Sequence, residues 1–178
     1  LQLNDRQVDV VEEGFDLALR IGYLKSSSLI AKRIAPIRLA LVASPDYLAK
    51  YGEPTHPDQL NPSHLLHYSY MSYNQDKSPL MQALRRAVKA ATPAICSNNG
   101  DILVDAAVAG EGYTLQPTFL VGRALKQGRL ISLLHEFEPN PMGLYAVYPH
   151  RKLMATKLRA FVDFISEYYG DVPSWDEY

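Results

Sequence analysis

Apolar and polar residues alternate over Asp16–Ile21, where Leu17, Leu19 and Ile21 fall between Asp16, Ala18 and Arg20. This period of two predicts a strand, ended by Gly22. From Leu29 to Ser44 the apolar positions are nearly continuous, with Pro36 as the interruption, and Ile37–Ala43 reads as a strand buried on both faces. Ser44-Pro45 has the form of an N-cap followed by a first helical residue, and Gly52 closes that short helix. Pro54, Pro57 and Pro62 mark a loop, and Leu65–Tyr70 a further strand. Residues 79–93 are rich in helix formers.

Downstream, the turn Ser97-Asn98-Asn99-Gly100-Asp101 leads into an apolar helix over Ile102–Ala109, stopped by Gly110 and Gly112. Tyr113–Gln116 reads as a short strand, and Pro117-Thr118 opens a helix that Gly128 ends. Short strands follow at Leu130–Leu134 and Leu144–Tyr148. Thr156 caps the last helix, in which Leu158, Phe161, Val162, Ile165 and Tyr169 keep a helical period. At the other end, Asp5 is the expected cap of a helix through DRQVDVVEEG, closed by Gly14. The polar tail GDVPSWDEY offers only Trp175 for packing. Alternating strands and helices give an α/β class with at least partly parallel sheets.

Composition narrows the function. The 178 residues are 47% hydrophobic and 21% charged, as in a globular chain, which excludes a disordered tail or a fibre. Eighteen Lys and Arg against 19 Asp and Glu give a net charge of -1, without the basic footprint of a free-standing nucleic-acid binder. A single cysteine, Cys96, rules out an internal disulfide and fits a reducing, cytoplasmic setting. No apolar run approaches the ~20 residues of a membrane span, and the start LQLNDRQVDV is charged too early for a signal peptide.

Candidate reactive groups are sparse. His56, His64 and His67 lie beside prolines and lack the spacing of a metal site. Cys96 sits in the apolar context AIC, where a buried thiol is inert. Asp101 and Asp105 share a helix face, as an acidic first turn does. No phosphate-cradling glycine motif or nucleophile elbow occurs, so neither cofactor, metal nor catalysis is expected. Two helix starts, at Asn99-Gly100-Asp101 and Gln116-Pro117-Thr118, present amides suited to a small anion, as does the strand end at Gly22 and Tyr23.

The run VDVVEEGFDLALRIGYLKSSSLIAKRIAPIRLALVASPDYLAKYGEPTHPDQL, with NNGDILVDAAVAGEGYTLQPTFLVG and LYAVYPHRKLMATKLRAFVDFI, resembles the effector-binding domain of LysR-type transcriptional regulators. The resemblance covers residues 1–168. It implies a two-lobed α/β fold like type 2 periplasmic binding proteins, with crossing strands at Leu39–Ser44 and Leu144–Tyr148 and a small effector between the lobes. Lobe I would be 1–44 with 143–178, and lobe II 45–142. The family's opening strand and helix, and its N-terminal winged helix-turn-helix, would precede Leu1 and are absent from this chain, so DNA contact would come only through that absent segment. At 79–97 the family carries a hairpin, which here is preferred over the helix that propensity favours.

Carried onto this sequence, the effector site comprises Gly22, Tyr23, Ser44, Asn99, Asp101, Gln116, Pro117, Thr118 and Phe119. Helix-start amides and the Thr118 hydroxyl would hold the polar or anionic end of an organic effector, with Phe119 and Tyr23 as apolar walls. Asp101 is expected to turn back and cap its own helix. The implied partners are the effector and further copies of the chain, as dimer or tetramer. An extracytoplasmic solute-binding protein of the same fold is the alternative, and a missing signal peptide disfavours it.

Overall fold

Proline and small polar residues set where the helices begin. The computed structural model describes residues 2, 6, 8–23, 29–149 and 156–177. Along the chain come β1 (Ala18–Gly22), β2 (Ile30–Ile37), β3 (Leu39–Ala43), α1 (Pro45–Tyr51), β4 (Leu66–Tyr68), α2 (Pro79–Ala90) and β5 (Ile95–Ser97). Then follow α3 (Gly100–Val108), β6 (Tyr113–Pro117), α4 (Thr118–Lys126), β7 (Ile131–Leu133), β8 (Met142–Tyr148) and α5 (Thr156–Tyr169). The Ser44 hydroxyl accepts the Tyr47 N–H at 3.2 Å and so caps α1, with Pro45 as its first residue.

The chain divides into two compact units, one made of Leu1–Ile37 and Pro141–Ser174, the other of Arg38–Asn140 and Trp175–Tyr178. In the first, β8 lies between β1 and β2 and runs antiparallel to both. Pro36 belongs to β2 rather than interrupting the chain. β2 is an edge strand with a register shift between Arg33 and Ala35, and such a place tolerates a residue without an N–H. α5 packs on β2 by burying Val162 and Ile165, and Lys32 meets Asp163 at 2.8 Å.

In the second unit β3 is the spine, antiparallel to β6 on one side and β7 on the other. All five of its residues are buried, and fully burying a Leu or Val contributes about 1.5–3 kcal/mol each. β3 pairs only within this unit, so residues 38–44 belong here and not with lobe I as expected, and the strand is not itself the crossing. β8 likewise pairs wholly in the first unit. The chain changes unit at Arg38, the single residue between β2 and β3, and again between Asn140 and Pro141. Parallel pairing is confined, among the described residues, to β4 with β5 and a bridge between Leu65 and Tyr113. The sheets are therefore mainly antiparallel, with the parallel share that the sequence reading expected limited to this pair and bridge. Gly112 is needed where β6 starts, since a Cβ there would lie 2.1 Å from the His64 carbonyl oxygen.

The hairpin expected over 79–97 is absent. Residues 79–90 are helical, capped by Ser78, with Pro79 first and Leu80, Met81, Ala83, Leu84 and Ala87 buried along one face. Helical spacing of apolar residues here agrees with propensity, and the two together prevail. The Asp76 carboxylate supports this start by accepting the Ser78 N–H at 2.6 Å and the Asn140 N–H groups at 3.2 and 3.0 Å. The helix expected from Asp5 reduces, among the described residues, to one turn. In it Asp9 accepts the Val11 and Glu12 N–H groups and Gly14 takes a left-handed φ of 71°. Asp5 lies outside the described residues.

Candidate functional site

Antiparallel pairing of β6 with β3 sets Gln116 opposite Ala40 and Pro117 opposite Leu39, at the end of β3 next to Arg38. Ser44 follows the other end of β3, where Ala43 faces Tyr113. Ser44 is buried with its hydroxyl engaged as the α1 cap, so it does not join the residues at the head of α4. Gly22 ends β1 opposite Gly143 in the first unit, and Tyr23 follows it, half-buried.

The other six candidate residues gather around two helix starts. At α3, Asn99 is the cap, its Oδ1 accepting the Asp101 N–H at 2.9 Å and the Ile102 N–H at 3.3 Å. The capping role expected of Asp101 thus falls to Asn99, and the Asp101 side chain stays on the exposed first turn, favourable to the helix dipole but repulsive to an anion. At α4, Pro117 occupies the cap position and provides no side-chain hydrogen bond. The Thr118 N–H reaches the Arg38 carbonyl at 3.0 Å, and its hydroxyl donates to the same oxygen at 3.4 Å. The first turn of α4 holds no acid, while Arg123 and Lys126 occupy its last turn.

Gly100 brings the two starts together. A Cβ on Gly100 would lie 2.6 Å from Leu120 Cδ1 of α4 and 3.2 Å from Gln116 Oε1. Gln116 is 1% exposed and its orientation is fixed by a relay. The Thr114 hydroxyl donates to the Leu66 carbonyl at 2.9 Å, so it must accept from Gln116 Nε2 at 3.0 Å. The amide oxygen is thereby turned toward the α3 start as an acceptor. Thr114, Leu120 and Arg38 escaped the sequence reading, which placed Gly100 in the turn without its contact to α4. Thr114 and Gln116, two apart and so on one face of an otherwise apolar strand, were the readable signal.

Arg38 also anchors neighbours through its side chain, 3.1 Å from Glu138 and 4.0 Å from Asp176. The Trp175 ring meets Phe119 edge-on with centroids 6.0 Å apart. The histidines have local duties. His64 Nδ1 lies 2.8 Å from the Tyr47 hydroxyl, whose pKa burial pushes up to about 12. His67 Nδ1 lies 3.1 Å from the Tyr73 hydroxyl, and burial lowers the His67 pKa. Among the described residues no three His, Cys, Asp or Glu side chains converge as metal ligands. Cys96 is exposed on β5, not buried as its apolar neighbours suggested.

The family model of the LysR substrate binding domain matches residues 1–170. The chain belongs to this family. Regulatory domains of LysR-type regulators are among its structural likenesses. The regulatory domain of CrgA from Neisseria meningitidis, described as a LysR-type transcriptional regulator, superposes with a TM-score of 0.73 at 29% identity, over 90% of this chain and 78% of that one. The full-length virulence activator AphB of Vibrio cholerae gives 0.70 at 27% identity, over 94% of this chain and 55% of that one. These likenesses establish the α/β, type 2 periplasmic-binding-protein-like fold.

Curated relatives include an HTH-type transcriptional regulator of Haemophilus influenzae, 36% identical over 89% of this chain and 54% of its own length. Another is PgrR of Escherichia coli, 33% identical over 92% and 55%. The chain thus spans about half the length of these LysR-type relatives. Among the described residues no helix is long and apolar enough to cross a membrane.

Proposed function

We propose that this LysR substrate-binding domain senses a small organic effector, and that the effector seats at the paired starts of α3 and α4. The observation that carries this reading is an uncapped α4 start beside the fixed acceptor Gln116 Oε1. The Thr118 N–H is taken by the Arg38 carbonyl, and the first-turn amides after it, which no side chain caps, suit a carboxylate or other anionic group. Gln116 Oε1 suits a hydrogen-bond donor on the same molecule. Asn99 and Asp101 shape the α3 side, Phe119 gives an apolar wall, and Thr118 and Pro117 hold the turn. On this reading the role is recognition of a ligand.

In the intact regulator, a cytoplasmic protein on this reading, effector binding biases a dimer or tetramer of chains. Contact with DNA belongs to a helix-turn-helix outside these residues. A ligand shifts such an assembly only by binding one arrangement better than another.

The test begins with a thermal-shift panel of small hydroxy- and amino-carboxylates on the wild-type chain, followed by calorimetry of the best binder. Replacing Gln116 by Leu should weaken that binder about tenfold, the worth of one hydrogen bond to a charged or well-oriented partner. Unchanged affinity in a folded Gln116→Leu variant would refute the assignment.

A further inference from the structure

We propose that the outer face of α5 is a contact between two copies of this chain, each laying that helix antiparallel against the other's. The proposal names one surface of the assembly of chains proposed above and rests on that reading of self-association. The effector seat at α4 plays no part in it.

The apolar side chains of α5 fall on two stripes. Val162 and Ile165 are buried as the helix packs on β2. Phe161, Phe164 and Tyr168 stand at i, i+3 and i+7 and make a second stripe. They are 43%, 63% and 70% exposed. The Phe164 and Tyr168 rings are stacked, with centroids 6.0 Å apart at 26°, and Tyr169 meets Tyr168 edge-on at 5.0 Å. These rings form one patch rather than scattered surface residues, and such a patch marks an interaction site.

The charges of the helix indicate what covers it. Lys157 and Arg159 occupy the first turn and Glu167 the last, with no acid at the start and no base at the end. The helix dipole favours the reverse at both ends, so this order destabilises α5 standing alone. Nothing nearby offsets it. Lys157, Arg159 and Glu167 make no ion pair among the described residues, while Asp163 is taken by Lys32 at 2.8 Å. A second α5 turned antiparallel sets its acidic end beside this basic start and its basic start beside this acidic end. With the twofold axis near Phe164, Phe161 of one copy faces Tyr168 of the other, and the two Phe164 rings meet between them. The face is self-complementary in shape of pattern and in charge, as an isologous twofold contact requires. Its 14 residues span only about 21 Å, so the dimer is weak, with a Kd of about 10–100 μM.

Sedimentation equilibrium of the 178-residue chain, from about 5 to about 500 μM, brackets that Kd. Phe164→Glu should weaken the dimer about tenfold or more, and leave the circular dichroism and the Tm of dilute protein unchanged because the ring is exposed. Glu167→Lys should weaken the dimer about threefold, yet raise the Tm of the dilute monomer by correcting the dipole. Opposite movement of these two readouts separates a contact between copies from a role within one chain. Adding Arg159→Glu to Glu167→Lys should restore association, since the opposed charges are then exchanged rather than lost.

A wild-type chain that stays monomeric over this range would overturn the proposal and self-association with it. A dimer that Phe164→Glu leaves intact would overturn the α5 face alone, with self-association standing on another surface. Failure of the double change to restore what Glu167→Lys removed would overturn the antiparallel arrangement. Each of these results leaves the Gln116→Leu titration intact.

Discussion

The starts of α3 and α4 touch through Gly100 and Leu120, yet they are built in opposite ways. Asn99 spends its side chain on two amides of α3, and Asp101 adds a negative charge to the same turn. Pro117 gives α4 nothing, and no acid follows it. The one start is closed by its own sequence and gains stability from that. The other leaves donors for something else. The start of α2 is the extreme of closure, since the cap Ser78 is itself held by the buried Asp76. A helix start spent on stability has little left for a ligand, so the one without a side-chain cap is where binding is to be sought.

The comparison is broken most strongly at Asp76. Replacing it by Ala should destabilise the chain by about 2 kcal/mol at neutral pH in urea titrations, as hydrogen bonds to a carboxylate are lost. Burial alone would raise the Asp76 pKa, but the hydrogen bonds from Ser78 and Asn140 outweigh it and hold the carboxyl below its ordinary 3.8. The folded value is thus depressed. Its contribution is fully present above the ordinary value and fades as pH falls below it through the folded value. The gap between wild type and Asp76→Ala should therefore be flat from pH 5 to 8, to within ~1 pH unit at either end, and shrink in acid. A gap that widens in acid would contradict this sign.

Next in size, Asn99→Ala should cost about 1 kcal/mol by opening α3 to match α4. It should not abolish binding of a carboxylate by the wild-type α4 start. Smallest is Pro117→Ser, which supplies α4 with the missing cap. Stability should rise by about 0.5 kcal/mol in thermal unfolding while carboxylate affinity falls. If the serine variant binds the anion as tightly as the parent, the α4 start is not the open one.

Local punctuation made much of this legible. Ser44-Pro45, the glycine stops and the Asn99 turn carry their geometry within a few residues, and those elements lie near where the sequence placed them. At 79–97 a family expectation displaced a correct local signal, because Ser78-Pro79 and the buried stripe from Leu80 to Ala87 already specified a helix. What the sequence hid was long-range. Strand direction depends on which partners meet, and β8, over a hundred residues from β2 along the chain, decides the first sheet. The relay from Leu66 through Thr114 to Gln116 joins residues 48 apart before it turns two positions along β6. Gly100 looked like part of a turn, and only a neighbouring helix makes its missing side chain matter.

The order β1-β8-β2 has a consequence for synthesis. The second unit draws its three-stranded sheet from one uninterrupted stretch, so its contacts can close while the ribosome is still adding residues. The first unit must hold β1 and β2 without their shared neighbour until Tyr148 has emerged. Its loop-closure entropy falls due late, and until then β1 and β2 lack the strand they share.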